Sequence, residues 1–324
     1  MLRAVFDADA VLLDPAAAYP EVTALRAGLA ARDWTAVRAV LDAAPGPVAR
    51  TRLLSIGADT DVKNTEGLEA FLRYTANSDP RDSAAAAMLA FHLIDIGWEV
   101  RSGYRAQHVS AAQFATFHGW LRLAEAVLME AIARHPDDPA LWVARLTSAR
   151  GLQLGLAETR RRYDKLAAID PHHLPGQIQF LQRLCPKWSG SWELLHPWCR
   201  EAMLAAPPGA PQGGLVADGH IEHWMEIGGG GTGKAYLSGP QVRAELYEAA
   251  ERSVWHPAFE KTHGWTYAAN YFAMAFSLLD DQPAARRTFE LLGNLGTELP
   301  WQYLSENVES VIRERRKRAG GGKR

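Results

Sequence analysis

The sequence predicts an all-α protein, and three observations lead there. The 324-residue chain holds 54 alanines, and alanine has the highest intrinsic helix propensity. Apolar residues recur at helical spacing, as in Val22, Leu25 and Leu29, then Val37, Val40 and Leu41. Prolines close helical stretches at 136, 171 and 207, intervals of 35 and 36 residues.

The elements follow in order. EVTALRAGLAARD and WTAVRAVLDAAPG read as two helices turning at Arg32–Asp33, and PVARTRLLSIG and GLEAFLRYTAN add two more. Pro80 marks a helix start, and SAAAAMLAFHLIDIGWEV runs to a loop through Arg101–Tyr104, where a weak boundary is placed. Six helices are expected between Gln107 and Pro207, the last of them bent or divided at Pro197 and capped by Ser191. Residues 208–240 are Gly- and Pro-rich around one short apolar helix at 216–227, and read as an irregular insertion. Helices at 240–253, 264–280 and 283–294 follow, with a last one from Trp301 to about Arg318.

The proline interval carries a resemblance. Ala124, Leu128, Ala131 and Pro136 have the small–large–small–Pro spacing of a tetratricopeptide second helix, and Ala285, Phe289 and Leu292 repeat part of it. Residues 107–207 and 265–295 resemble divergent tetratricopeptide-like proteins of unassigned function. That resemblance implies antiparallel helix pairs stacked as a right-handed array, with the 208–240 insertion interrupting it. The expected organisation is an N-terminal helical region at 1–100, a tetratricopeptide-like domain at 101–312 and a basic flexible tail at 313–324.

Bulk composition excludes several function classes. A hydrophobic share of 48% fits a packed core. Thirty-five basic residues against 37 acidic ones disfavour a broad nucleic-acid surface, the RERRKRAGGGKR end apart. No eighteen-residue apolar window lacks charge, and Asp7 and Asp9 interrupt the opening apolar stretch. A cytoplasmic location away from membranes is therefore expected. Cys185 and Cys199, the two cysteines, read as buried thiols.

Two motifs imitate catalytic signatures. Gly228 to Lys234 satisfies Gly-x-x-x-x-Gly-Lys, but Ala235 replaces the magnesium-binding hydroxyl and the preceding HIEHWMEI is helical. AVFDADAVLLD resembles the first motif of haloacid-dehalogenase-type phosphatases, with Asp7 as nucleophile and Asp9 as acid/base, yet no βαβ series follows it. Neither is read as a working site, and no catalytic residue, cofactor or metal is assigned.

The stronger lead is an uneven distribution of tryptophan. Trp188, Trp192, Trp198, Trp224, Trp255 and Trp265 fall within 78 residues and are interleaved with histidines, including His220 and His223. Indoles with a polar handle anchor interfaces, so these eight residues form the candidate binding surface. The expected function is a non-enzymatic scaffold for a protein or peptide, with self-association as a further possibility. The alternative is a metal-dependent hydrolase built on the His/Glu-containing insertion, with Glu222 or Glu226 beside the histidines.

Overall fold

A computed structural model describes residues 10–59, 67–101 and 109–320. Those residues form 16 α-helices, linked by turns and short 3₁₀ segments, and no strand. Contacts divide the chain into two compact units, Pro20–Gly190 and Met1–Tyr19 with Ser191–Arg324. The division falls at Gly190–Ser191.

The unit of residues 20–190 contains α1 (Glu21–Ala30), α2 (Trp34–Asp42), α3 (Pro47–Ala58), α4 (Leu68–Ser78) and α5 (Ser83–Arg101). It continues through α6 (Ala111–Arg134), α7 (Pro139–Gly151), α8 (Leu156–Ile169) and α9 (Leu174–Leu184). Helix α5 is its centre and packs against α3, α4, α6 and α7. Its run Ala84, Ala85, Ala87, Met88, Ala90 and Leu93 is buried on every side, and small side chains let the neighbouring axes approach. By length and composition α5 could cross a membrane, but most of that stretch is enclosed by protein.

A 35-residue register runs through this unit. Ala124, Leu128 and Ala131 of α6 are buried, and so are Thr159, Tyr163 and Leu166 at the equivalent places of α8. After each closing proline the pattern recurs. The Trp142 indole N–H donates to the Pro136 carbonyl at 2.8 Å, and the Gln177 amide donates to the Pro171 carbonyl at 3.2 Å. Each bond satisfies a carbonyl where a helix has just ended, so two unlike residues do the same work. Between the helices Arg162 and Arg145 close on Glu125, at 2.7 and 3.1 Å.

The second unit contains α10 (Trp192–Ala205), α11 (Gly213–Glu226), α12 (Gly230–Leu237), α13 (Pro240–Arg252), α14 (Trp265–Leu278), α15 (Gln282–Leu292) and α16 (Val308–Ala319). The segment 208–240 is far more helical than its composition suggested. Helix α11 is the core of the unit, packed against α10, α12, α13 and α14. Its glycines make this possible: a Cβ on Gly213 would sit 2.3 Å from the Ala249 carbonyl oxygen, and one on Gly214 would sit 2.7 Å from the Ala268 Cα. Glycine lowers helix propensity, but here it permits close helix crossings, and burial of the surrounding side chains offsets the cost at about 1.5–3 kcal/mol for each large apolar one.

Local expectations were corrected in three places. Pro197 sits inside α10 without dividing it, and the Ser191 side chain makes no capping bond to a backbone N–H. A 3₁₀ turn at Trp301–Tyr303 precedes α16, so the last helix begins at Val308. Residues 313–319 of the basic end complete α16, in line with a last helix reaching about Arg318. Arg315, Arg316 and Arg318 bond the Ser277 carbonyl, the Gly293 carbonyl and the Asp280 carboxylate.

Candidate functional site

Two places in the structure gather chemistry. One lies in the unit containing α10–α16. His196 of α10, His220 and His223 of α11, Tyr236 of α12 and Glu245 of α13 form a continuous hydrogen-bonded chain. His220 Nε2 lies 3.0 Å from Glu245 Oε2, and its Nδ1 lies 2.8 Å from the Tyr236 hydroxyl. The Tyr236 hydroxyl is 3.3 Å from His196 Nε2, which is 3.0 Å from His223 Nδ1.

One set of tautomers satisfies every link. His220 Nε2–H donates to Glu245, and Tyr236 donates to His220 Nδ1. His196 Nε2–H is shared between the Tyr236 oxygen and His223 Nδ1. Trp192 lies flat on His223, with ring centroids 4.2 Å apart and planes within 3°. The i, i+3 spacing of His220 and His223 places both on the face of α11 that meets α10 and α12.

The surroundings bias the protonation of four of these groups. Burial, followed by the neighbouring His220 and His223, pushes His196 down to about 3. Burial and then His220 also lower His223. The bond from His220 is the largest cause pulling Glu245 down to about 2. Burial, then Glu245, raises Tyr236, so its hydroxyl keeps its proton. Among the described residues no three His, Cys, Asp or Glu side chains form a group able to hold a metal ion.

The other place lies in the unit of residues 20–190. A cavity of about 300 Å³ opens between α3, α5, α7 and α9, with Arg52, Asp95, Trp98, Thr147, Arg150 and Gln179 in its wall. Buried polar atoms without a hydrogen-bond partner occur on these residues, Arg52 Nε, Trp98 Nε1 and Gln179 Oε1 among them. Beside it Trp98 meets Trp188 edge-on at 6.0 Å. The Arg150 guanidinium lies 5.1 Å from the Trp98 ring centre and that of Arg101 lies 5.4 Å from it.

The eight residues singled out from sequence are divided between the two units. Trp188 belongs to the unit with the cavity, and the other seven belong to the unit with the imidazole chain. Trp192, His220 and His223 meet there. Trp224, Trp255 and Trp265 are buried at 7%, 8% and 2% exposure and serve as core. Trp224 packs beneath Gly229 and Gly233, Trp255 stacks on Phe276 at 5.1 Å, and Trp265 meets Phe259 edge-on. Trp198 is half-buried on α10.

Other lures resolve locally. Lys234 of the Gly-rich motif pairs with Asp280 instead of facing an empty phosphate cradle. His263 stacks on Tyr19 at 4.3 Å, and His256 accepts the Ala258 N–H. Glu222 accepts the Tyr303 hydroxyl at 2.8 Å, away from the imidazole chain. Cys185 and Cys199 are buried free thiols, as expected. Asp7 and Asp9 lie outside the described residues.

Sequence reasoning missed Tyr236 and Glu245, and also Arg52, Trp98, Arg150 and Gln179. Each comes from a different element at long sequence separation, so no local spacing marks them. The chain is an all-helical protein of sequentially packed helices; it matches no protein-family model, curated protein or solved structure.

Proposed function

We propose that this chain is a non-enzymatic interaction protein of tetratricopeptide-like architecture, which takes a segment of a partner protein into the cavity between α3, α5, α7 and α9. The architectural part is supported by the 35-residue register of buried positions and by the matching Trp142 and Gln177 bonds. Helices α5 and α7 are then the first helices of two successive pairs, with α6 and α8 as the second, and first helices line the groove in such arrays. The observation that carries the binding part is the cavity itself, about 300 Å³, walled by Arg52, Trp98, Arg150 and Gln179 from four different helices.

Peptides selected from a displayed random library against the purified chain test the reading. Binding is remeasured with Trp98→Ala and Arg150→Ala variants whose circular dichroism matches wild type. At least a tenfold loss of affinity is expected for the selected peptides. Selected peptides that bind both variants as well as wild type place binding elsewhere.

A second reading is an enzyme that uses the chain through α10–α13, because Glu245, His220 and Tyr236 stand in the order carboxylate, imidazole, hydroxyl. It rests on proton transfer through that order. Hydrolysis of p-nitrophenyl esters and phosphates, lost on Tyr236→Phe, would favour it; no turnover in such a screen counts against it.

A further inference from the structure

Helix α6 buries Phe117, Leu121, Ala124, Leu128 and Ala131 against α5 and α7. Its opposite face stays open over a helix of 24 residues. Ala115, Ala126 and Ala133 lie exposed along the centre of that face, and Leu123 and Met129 flank them at 47% and 55% exposure. The second helix of the next pair differs, since α8 exposes Arg160, Arg161, Asp164 and Lys165, as a solvated face does. Gly119 also belongs to the open face of α6. Its backbone is ordinary α-helix, and a Cβ there would meet no atom within 4 Å. Packing inside the chain therefore gives no reason for a residue that weakens the helix. An exposed apolar helix face that includes a glycine suits the close approach of another helix. The order of residues on this face is symmetric about Ala126. Gly119 and Ala133 each stand seven residues from it, Arg122 and Glu130 four, and Leu123 and Met129 three. Arg122 and Glu130 are both exposed and opposite in charge. Reversing the chain direction therefore exchanges small for small, large apolar for large apolar, and cation for anion.

We propose that two copies of the chain associate through this face, with their α6 helices antiparallel and centred on Ala126. Arg122 of one copy is then level with Glu130 of the other, and the pair occurs twice, as a two-fold interface requires. Leu123 comes level with Met129, and Gly119 with Ala133, where the missing side chain lets the backbones approach. A parallel pair would instead set Arg122 beside Arg122 and Glu130 beside Glu130. The interface is independent of the cavity between α3, α5, α7 and α9, whose wall contains no residue of α6.

Sedimentation velocity of the full chain over a range of concentrations tests it, and a species of twice the chain mass is expected. Ala126→Arg, a change at an exposed position, should raise the dissociation constant of that dimer at least tenfold with circular dichroism unchanged. Arg122→Glu and Glu130→Arg should each weaken the dimer, and the chain carrying both should dimerise more tightly than either single variant. Cysteine crosslinking reads the register, because Cys185 and Cys199 are buried. Under mild oxidation Ala126→Cys should give a disulfide-linked dimer. Ala115→Cys, on the same face but about 33 Å from its counterpart in this register, should not. A chain that is monomeric at every concentration overturns the proposal. So does a dimer indifferent to Ala126→Arg, or one in which Ala115→Cys crosslinks as readily as Ala126→Cys. A monomeric chain whose display-selected peptides bind less tightly after Ala126→Arg would assign the face to a partner protein, and that too overturns it.

Discussion

Acidification should destabilise the protein through His196, by an amount that can be worked out. Its ordinary value is 6.5, and burial beside His220 and His223 takes it to about 3 in the folded chain. Between those values the unfolded chain binds the proton and the folded chain does not. Stability from this group is therefore complete above pH 6.5 and is lost as pH falls toward 3. The loss approaches about 1.4 kcal/mol for each pH unit, or roughly 1.4 kcal/mol on going from pH 7.5 to 5.5. Glu245, pulled down to about 2, adds its own loss only below about pH 4.5, so the two contributions separate in pH. Urea unfolding followed by far-ultraviolet circular dichroism at pH 7.5, 6.5 and 5.5 measures the effect. His196→Gln, which keeps a polar group near the Nε2 position but cannot titrate, should flatten the dependence by about that amount. Parallel curves for wild type and variant would refute the reasoning, because no titrating group would then have been removed.

Three other perturbations have definite expected outcomes. Trp192 lies flat on His223, whose value is lowered by burial, so an acid-induced fall in tryptophan fluorescence below pH 6.5 should be reduced in both Trp192→Phe and His223→Gln; an undiminished fall in either denies the contact. Gly214→Ala would force a methyl to within 2.7 Å of the Ala268 Cα and should cost about 1–3 kcal/mol in urea unfolding, with a neutral result showing that α11 can move away from α14. Glu125→Ala removes the carboxylate shared by Arg162 and Arg145, while Arg162 keeps Glu158 at 2.8 Å, and should cost about 1–3 kcal/mol in urea unfolding; no measurable loss would mean that both guanidiniums reach solvent.

Helix content was legible because it depends on near neighbours in the chain. Alanine propensity, the i, i+3, i+4 apolar spacing and the proline stops place most helices within a few residues of their observed ends, as at Glu21–Ala30 and Pro240–Arg252. The interval between Pro136 and Pro171 also foretold a real register, since the residues spaced with those prolines are buried alike. The reading failed where composition and packing disagree. Glycines in 213–219 look like loop material in one dimension, whereas the fold needs them where α11 crosses α13, α14 and α10. The same burial makes Trp224 and Trp265 core residues.

The sequence by itself determined an all-helical chain, a near-35-residue recurrence and a concentration of indole and imidazole after residue 185. Tertiary structure alone decided which of those rings meet. It joined His196 and His223 to Tyr236 and Glu245, and it left Trp255 in the apolar interior. It also brought Arg52, Trp98 and Gln179 from three helices to one cavity. The reason is physical: periodicity fixes which face of a helix is apolar, but the partner of a buried polar group is set by which helices cross and how closely, and that is decided by side chains far apart in the chain.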